Sequence, residues 1–198
     1  MKYISFKNTF DFSFALVSFI IVSPLFILLI FTNLIILGRP IFFKQERPGY
    51  REKLFKIIKF RTMSNTNFSS TDFERMNSYG KWLRSTSLDE LPELINILRG
   101  EMSFIGPRPL LKKYIPLYSI EQSKRHLVKP GFSGWAQING RNNTSWEKRL
   151  KLDVWYVENQ SFLIDLKIFF ITIWKVIIRE GINSRNDSTM EEFKGTKE

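Results

Sequence analysis

The stretch from Phe12 to Leu37 contains no ionisable residue, and this run restricts the possible folds more than any other feature of the chain. As a helix rising about 1.5 Å per residue it exceeds the ~30 Å hydrocarbon core of a bilayer, so it belongs in a membrane. A cleavable leader would have a shorter apolar region, roughly 7–15 residues, and a small-residue cleavage motif; no such motif follows here. Ser23-Pro24 lies near the middle. Proline at 24 removes the amide that would bond the Ile20 carbonyl, which predicts a kink or break. Lys2 and Lys7 precede the segment, and Arg39, Lys44, Arg47, Arg51 and Lys53 follow it. Basic flanks favour the cytoplasmic side, and both ends carry them. A re-entrant helix that turns at Ser23-Pro24 and leaves on the face it entered satisfies both flanks. An ordinary spanning helix with a tolerated proline is the alternative.

After Pro40 the composition is mixed. Residues 41–45, a Pro48-Gly49 turn and residues 54–61 read as a β-hairpin with Lys59 and Arg61 on one face. Residues 64–72 read as a polar loop. Helical patterns cover 73–83 and 91–98, the second closing at Gly100. A glycine-rich stretch begins at Lys129-Pro130-Gly131 and runs to Gly140. A further helix covers 145–157. Residues 162–178 are apolar but interrupted by Asp165, Lys167 and Lys175, which places them in the membrane interface or, alternatively, in a core. The tail from Asn183 to Glu198 is polar and reads as disordered. The expected organisation is a membrane anchor over 1–40, a catalytic domain over 41–182 and a polar tail over 183–198.

The chemistry available is narrow. There is no cysteine and one histidine, so thiol nucleophiles, cysteine zinc sites and multi-histidine metal centres are excluded. His126 reads as a structural or surface residue, although a single general base is conceivable. Proton and phosphate chemistry therefore rests on carboxylates, lysines and arginines. The 30 basic and 19 acidic side chains leave a formal charge of +11, which favours an anionic partner: nucleic acid, acidic membrane or phosphorylated substrate.

Asp89-Glu90 is the candidate carboxylate pair. Its plain explanation is capping, because Ser87-Leu88-Asp89-Glu90 fits a capping box. Pro92 weakens that reading, since a helix starting at Asp89 would place the proline in the first turn, with both carboxylates at an N-terminus suited to phosphate or its metal. The basic candidates are Lys59, Arg61, Arg84, Arg108 and Arg141. Arg108 stands out because two prolines restrict its backbone and so pre-organise a guanidinium suited to bidentate phosphate binding. Residues 131–141 combine glycines, Trp135 and amide side chains, which would suit a nucleotide or sugar, or a well-packed loop.

Several runs occur together and in order: Phe42-Phe43-Lys44-Gln45-Glu46-Arg47, Lys59-Phe60-Arg61-Thr62-Met63, Ser87-Leu88-Asp89-Glu90-Leu91-Pro92-Glu93-Leu94, Met102-Ser103-Phe104-Ile105-Gly106-Pro107-Arg108-Pro109, Lys129-Pro130-Gly131, Gly134-Trp135-Ala136-Gln137-Ile138-Asn139-Gly140-Arg141 and Asp153-Val154-Trp155-Tyr156. In these the chain resembles the bacterial sugar transferases, or monotopic phosphoglycosyl transferases, and in length the small PglC-type members. Two positions depart from the pattern: Glu52 stands where many members have glycine, which puts the hairpin turn in doubt, and Glu101 stands where aspartate is common.

The resemblance implies an α+β, mainly α fold: a re-entrant helix broken at Ser23-Pro24, interfacial amphipathic helices, a small β-hairpin and a compact cytoplasmic catalytic head. It implies transfer of a sugar 1-phosphate from a UDP-sugar to polyprenol (undecaprenyl) phosphate at the bacterial inner membrane, and so membrane lipids rather than nucleic acid as surroundings. Asp89 takes the nucleophile's position and Glu90 that of a Mg²⁺ ligand. Lys59, Arg84, Arg108 and Arg141 fall where the substrate's phosphates, or carboxylates of the site, are contacted, and Arg61 joins them as a substrate-binding candidate. The sugar and the oligomeric state, a homodimer included, are left open. A basic adaptor gripping anionic lipid or RNA, and a phosphohydrolase, are the competing readings.

Overall fold

The computed structural model describes residues 2–64, 75–140, 144–178 and 192–195. Its first element, α1 (Lys2–Leu37), is a single helix with Pro24 inside it. The break expected at Ser23-Pro24 does not interrupt it. Ser23 Oγ donates to the Ile20 carbonyl at 2.8 Å, the acceptor that proline leaves without an amide, so the side chain replaces the lost backbone bond.

A helix apolar on all sides must be buried or lie in lipid, and α1 does both. On one side Ala15, Phe19 and Val22 pack on Phe55, Ile57, Leu94, Ile97 and Met102, while Phe26 and Leu29 pack on Phe60 and Leu83. On the other, Ile20, Ile21, Leu28, Phe31 and Ile35 are exposed. Both ends are fastened to the same body. Near the N-terminus Tyr3 Oη donates to Asp165 at 2.6 Å and Lys7 pairs with the same carboxylate. Near the C-terminus Asn33 Nδ2 donates to the Arg61 carbonyl at 2.8 Å.

The expected hairpin is present as β1 (Phe42–Pro48) and β2 (Leu54–Phe60), antiparallel, with Phe42 opposite Phe60 and Phe43 opposite Lys59. Its turn holds Glu52 at φ +62, a left-handed conformation that glycine adopts without a Cβ penalty.

Helix α2 (Ser78–Ser85) is capped by Asn77, whose side chain accepts from Gly80 N at 2.8 Å. Of the helix expected over 73–83, residues 73 and 74 lie outside the described ones, and 75–77 are not helical, because Asn77 caps the helix at Ser78. Next comes α3 (Glu93–Leu98), with Gly100 at φ +73 two residues beyond its end, as expected. Two three-residue strands, β3 (Ser103–Ile105) and β4 (Gly131–Ser133), pair in parallel; they are too short to carry a readable alternation. The backbones approach so closely that a Cβ on Gly131 would lie 2.0 Å from Gly106 N, so glycine is required there.

Helix α4 (Ile120–Ser123) opens with a Ser119–Gln122 capping box. The glycine-rich stretch holds a helix, α5 (Trp135–Asn139), rather than only loop. Helices α6 (Trp146–Asn159) and α7 (Phe162–Ile177) follow, each capped by a serine. In α7, Asp165 and Ile168 are buried while Leu163, Phe170, Trp174 and Ile177 are exposed. That apolar outer side, with that of α1, fits the interfacial placement. Part of the tail departs from the disordered reading. Phe193 is only 3% exposed and packs in a cluster with Leu110, Tyr114 and Leu150; burying such a ring gains about 1.5–3 kcal/mol.

Candidate active site

Asp89 and Glu90 lie in a 3₁₀ turn, Leu88–Glu90, between α2 and α3. Neither capping scheme holds. Ser87 has φ +56 and its side chain caps nothing; α3 begins only at Glu93, with Pro92 as the residue before its first turn. The left-handed Ser87 reverses the chain out of α2. A non-glycine residue in this region is uncommon and recurs where a site over-determines its backbone.

Three segments converge on this turn. From β2, Lys59 Nζ reaches Glu90 Oε1 at 2.5 Å and Glu93 Oε1 at 3.0 Å. From the Gly106–Pro109 loop, the Arg108 guanidinium reaches the same Glu90 oxygen at 2.5 Å. From the end of α2, Arg84 Nε donates to Thr62 Oγ1 at 3.1 Å and contributes to the positive field on Asp89. Asp89 itself makes no hydrogen bond among the described residues.

The two carboxylates are pushed apart electrostatically. Burial, then the neighbouring Glu90, raise Asp89 to about 6, while Lys59, Arg84 and Arg108 hold it from rising further. Burial would raise Glu90 too, but Arg108 and Lys59 outweigh it and keep that carboxylate below its ordinary range. Glu93, almost wholly buried, is driven up by burial and by Glu90. Adjacent carboxylates whose environments separate them in this way can take different chemical tasks.

Of the sequence candidates, the structure brings together Asp89, Glu90, Lys59, Arg84 and Arg108. It does not bring Arg61, whose buried guanidinium donates to the carbonyls of Leu37 and Gly38 at the end of α1. The strand ends at Phe60, so Arg61 does not share a strand face with Lys59 and instead serves the helix C-terminus. Arg141 lies outside the described residues. His126 is buried beneath the Gly106–Pro109 loop, against Tyr118, and burial followed by Arg125 holds it at about 4. It is neutral at pH 7 and serves structure.

Two residues not singled out as site candidates support Arg108. Arg125 donates to the Arg108 carbonyl at 2.7 Å and to Asp153 Oδ2 at 2.7 and 3.1 Å, and both members of that pair are buried. Asp153 stood in a family motif; nothing in the sequence around Arg125 marked it.

Magnesium takes hard oxygen ligands, often one or two carboxylates completed by substrate phosphates. Asp89 and the second oxygen of Glu90 are free of hydrogen bonds among the described residues, so this donor set fits such an ion. No cluster of three metal-binding side chains lies among those residues, so phosphate oxygens would complete its shell.

A family model of bacterial sugar transferases matches residues 2–179. The chain is 47% identical over 194 residues to a sugar transferase, EpsL, of Bacillus subtilis, covering 96% of each chain. It is 37% identical to the exopolysaccharide production protein ExoY of Sinorhizobium fredii, covering 88% of this chain and 87% of that one. A UDP-glucose:undecaprenyl-phosphate glucose-1-phosphate transferase of Klebsiella pneumoniae is 39% identical over 82% of this chain, which spans 40% of that longer protein.

Proposed function

The chain belongs to the bacterial sugar transferase family and is a transferase, and on that premise we propose that it moves a sugar 1-phosphate from a UDP-sugar to undecaprenyl phosphate in two steps at Asp89. In the first, an Asp89 oxygen attacks the sugar-bearing phosphorus. The bond to the other phosphate breaks and UMP leaves with the electron pair. In the second, a phosphate oxygen of the lipid attacks the same phosphorus and expels the Asp89 carboxylate, giving a polyprenyl diphosphosugar.

The observation that carries this reading is an unbonded carboxylate surrounded by three cations. Asp89 is ionised at pH 7 although raised to about 6, so it needs no activating base. Repulsion from an anionic diphosphate is the obstacle. Lys59, Arg84 and Arg108 offset it, and Arg108, its backbone fixed by prolines and by Arg125, is pre-organised to steady charge on the departing phosphate. Magnesium, with Glu90 and incoming phosphate as ligands, would add Lewis-acid neutralisation of that charge.

The support for a membrane placement with both termini on one side is α1, a 36-residue helix whose two ends are both fastened to one head. The apolar outer sides of α1 and α7 sit in one leaflet, and the head lies on the cytoplasmic face where basic flanks are favoured. The lipid's phosphate then meets the site at headgroup height.

The test is UMP release from a panel of UDP-sugars by the full chain with Mg²⁺ and undecaprenyl phosphate. One sugar should give sustained release that depends on the lipid. Absence of release with every sugar would refute the proposal.

A further inference from the structure

Between α1, α3, the β3–β4 pair and α7 lies a cleft of about 370 Å³. Resting on the transferase reading above, we propose that this cleft seats the first isoprene units of the lipid acceptor, those nearest its phosphate, and so fixes the phosphate's approach to Asp89.

The lining is almost entirely hydrocarbon, from residues such as Phe14, Val22, Leu94, Phe104, Ile173 and Val176. Two of the few polar groups on its wall satisfy each other: the Ser133 and Thr172 hydroxyls are 2.6 Å apart. An apolar guest therefore strands little polar surface.

Position selects the guest. The wall includes Leu91 and Leu94, two and five residues past Asp89 and flanking Glu93. A chain lying there has its head beside the carboxylate–arginine cluster. The wall also includes Val176 and Ile177, which are 45% and 69% exposed and continue into the apolar outer side of α7. A ligand with an anionic head and a branched hydrocarbon tail matches both features. A neutral sugar or a nucleotide matches neither.

Size limits what is held. A cavity of about 150 Å³ accommodates one benzene-sized hydrocarbon, so this one takes roughly two isoprene units. The remainder of a long chain stays in the bilayer, and the site reads the α-end of the acceptor rather than its length.

Two measurements test this. Among short acceptors, geranyl phosphate should have a KM about tenfold or more below that of isopentenyl phosphate, whereas farnesyl phosphate should gain little further. Val176→Trp, at the mouth, should raise the acceptor KM about tenfold or more while the UDP-sugar KM stays put; Leu163→Trp, exposed on α7 outside the cleft, should raise neither. Binding is read independently of turnover with a diazirine-bearing geranyl phosphate. Labelling should fall on α7 and on residues 91–94, be blocked by undecaprenyl phosphate but not by phosphatidylglycerol, and be lost in Val176→Trp. Labelling elsewhere, equal displacement by phosphatidylglycerol, or an unchanged acceptor KM in Val176→Trp would overturn the proposal. Cleft labelling in a protein that turns over no UDP-sugar would uphold the cleft and refute the reaction.

Discussion

The Arg108 guanidinium stands 2.5 Å from the Glu90 carboxylate, joining a loop stiffened by two prolines to the turn that carries Asp89. This contact keeps Glu90 ionised and brings a rigid cation within reach of any phosphate approaching its neighbour. Arg108→Ala should lower kcat/KM for the UDP-sugar by about 10²–10³-fold, the usual worth of a donor aimed at developing charge. Arg108→Lys should restore only part, because an ammonium does not reproduce the planar fork. Steady-state kinetics on both variants checks this.

Asp89→Asn should abolish transfer and yet stabilise the fold. Asp89's folded pKa, about 6, lies above its ordinary value of 3.8, so the native state favours the protonated form. Stability linked to this group is greatest below pH 4 and is lost as pH rises through 6; removing the charge recovers up to about 3 kcal/mol at neutral pH. Thermal unfolding in detergent should show a higher Tm for the variant at pH 7.5 and a smaller difference at pH 4.5.

The same shift sets a pH profile. Only ionised Asp89 attacks, so kcat/KM for the UDP-sugar should rise with pH through an apparent pKa near 6 and then level off. A profile flat down to pH 4.5 would contradict the raised carboxylate.

Gly131→Ala forces a methyl group against the Gly106 backbone and so disturbs the loop that presents Arg108. The expected cost is about 1–3 kcal/mol, visible as a lowered Tm, with kcat reduced in the surviving folded protein.

Asp165 accepts from Tyr3, Lys7 and Tyr156. Asp165→Asn should loosen the N-terminal end of α1 from the head at a cost of about 1–3 kcal/mol. Hydrogen exchange should quicken in the first turns of α1 and remain slow around residues 93–98.

The parts of this molecule that could be read in the sequence were those with a long physical period or a fixed motif. The apolar run at 12–37, the hairpin with Lys59, and the helices ending near Leu98 and beginning near Ser145 all carry such signals. Ser23-Pro24 predicted a kink or break; the helix continues through the pair, with the Ser23 hydroxyl, two bonds from the backbone, satisfying Ile20, an outcome that depends on a rotamer. The β3–β4 pair was hidden because three residues show no alternation and a parallel partner lies 28 positions away. Arg61 was misplaced by one residue of strand length. Glu93 and Arg125 escaped notice because their importance arises only once β2, α6 and the Gly106–Pro109 loop are assembled around them. Phe193 shows that one ring in an otherwise polar stretch can be buried, since it packs with Leu110, Tyr114 and Leu150.

The central claim is that Asp89 becomes covalently attached to the sugar phosphate. Intact-mass analysis of the full chain, mixed with its UDP-sugar and Mg²⁺ without lipid acceptor, tests it most directly. The account requires a mass increase equal to one phosphosugar, mapped to Asp89, discharged by undecaprenyl phosphate and absent from Asp89→Asn. Full turnover with no adduct, or an adduct that persists in Asp89→Asn, would contradict it.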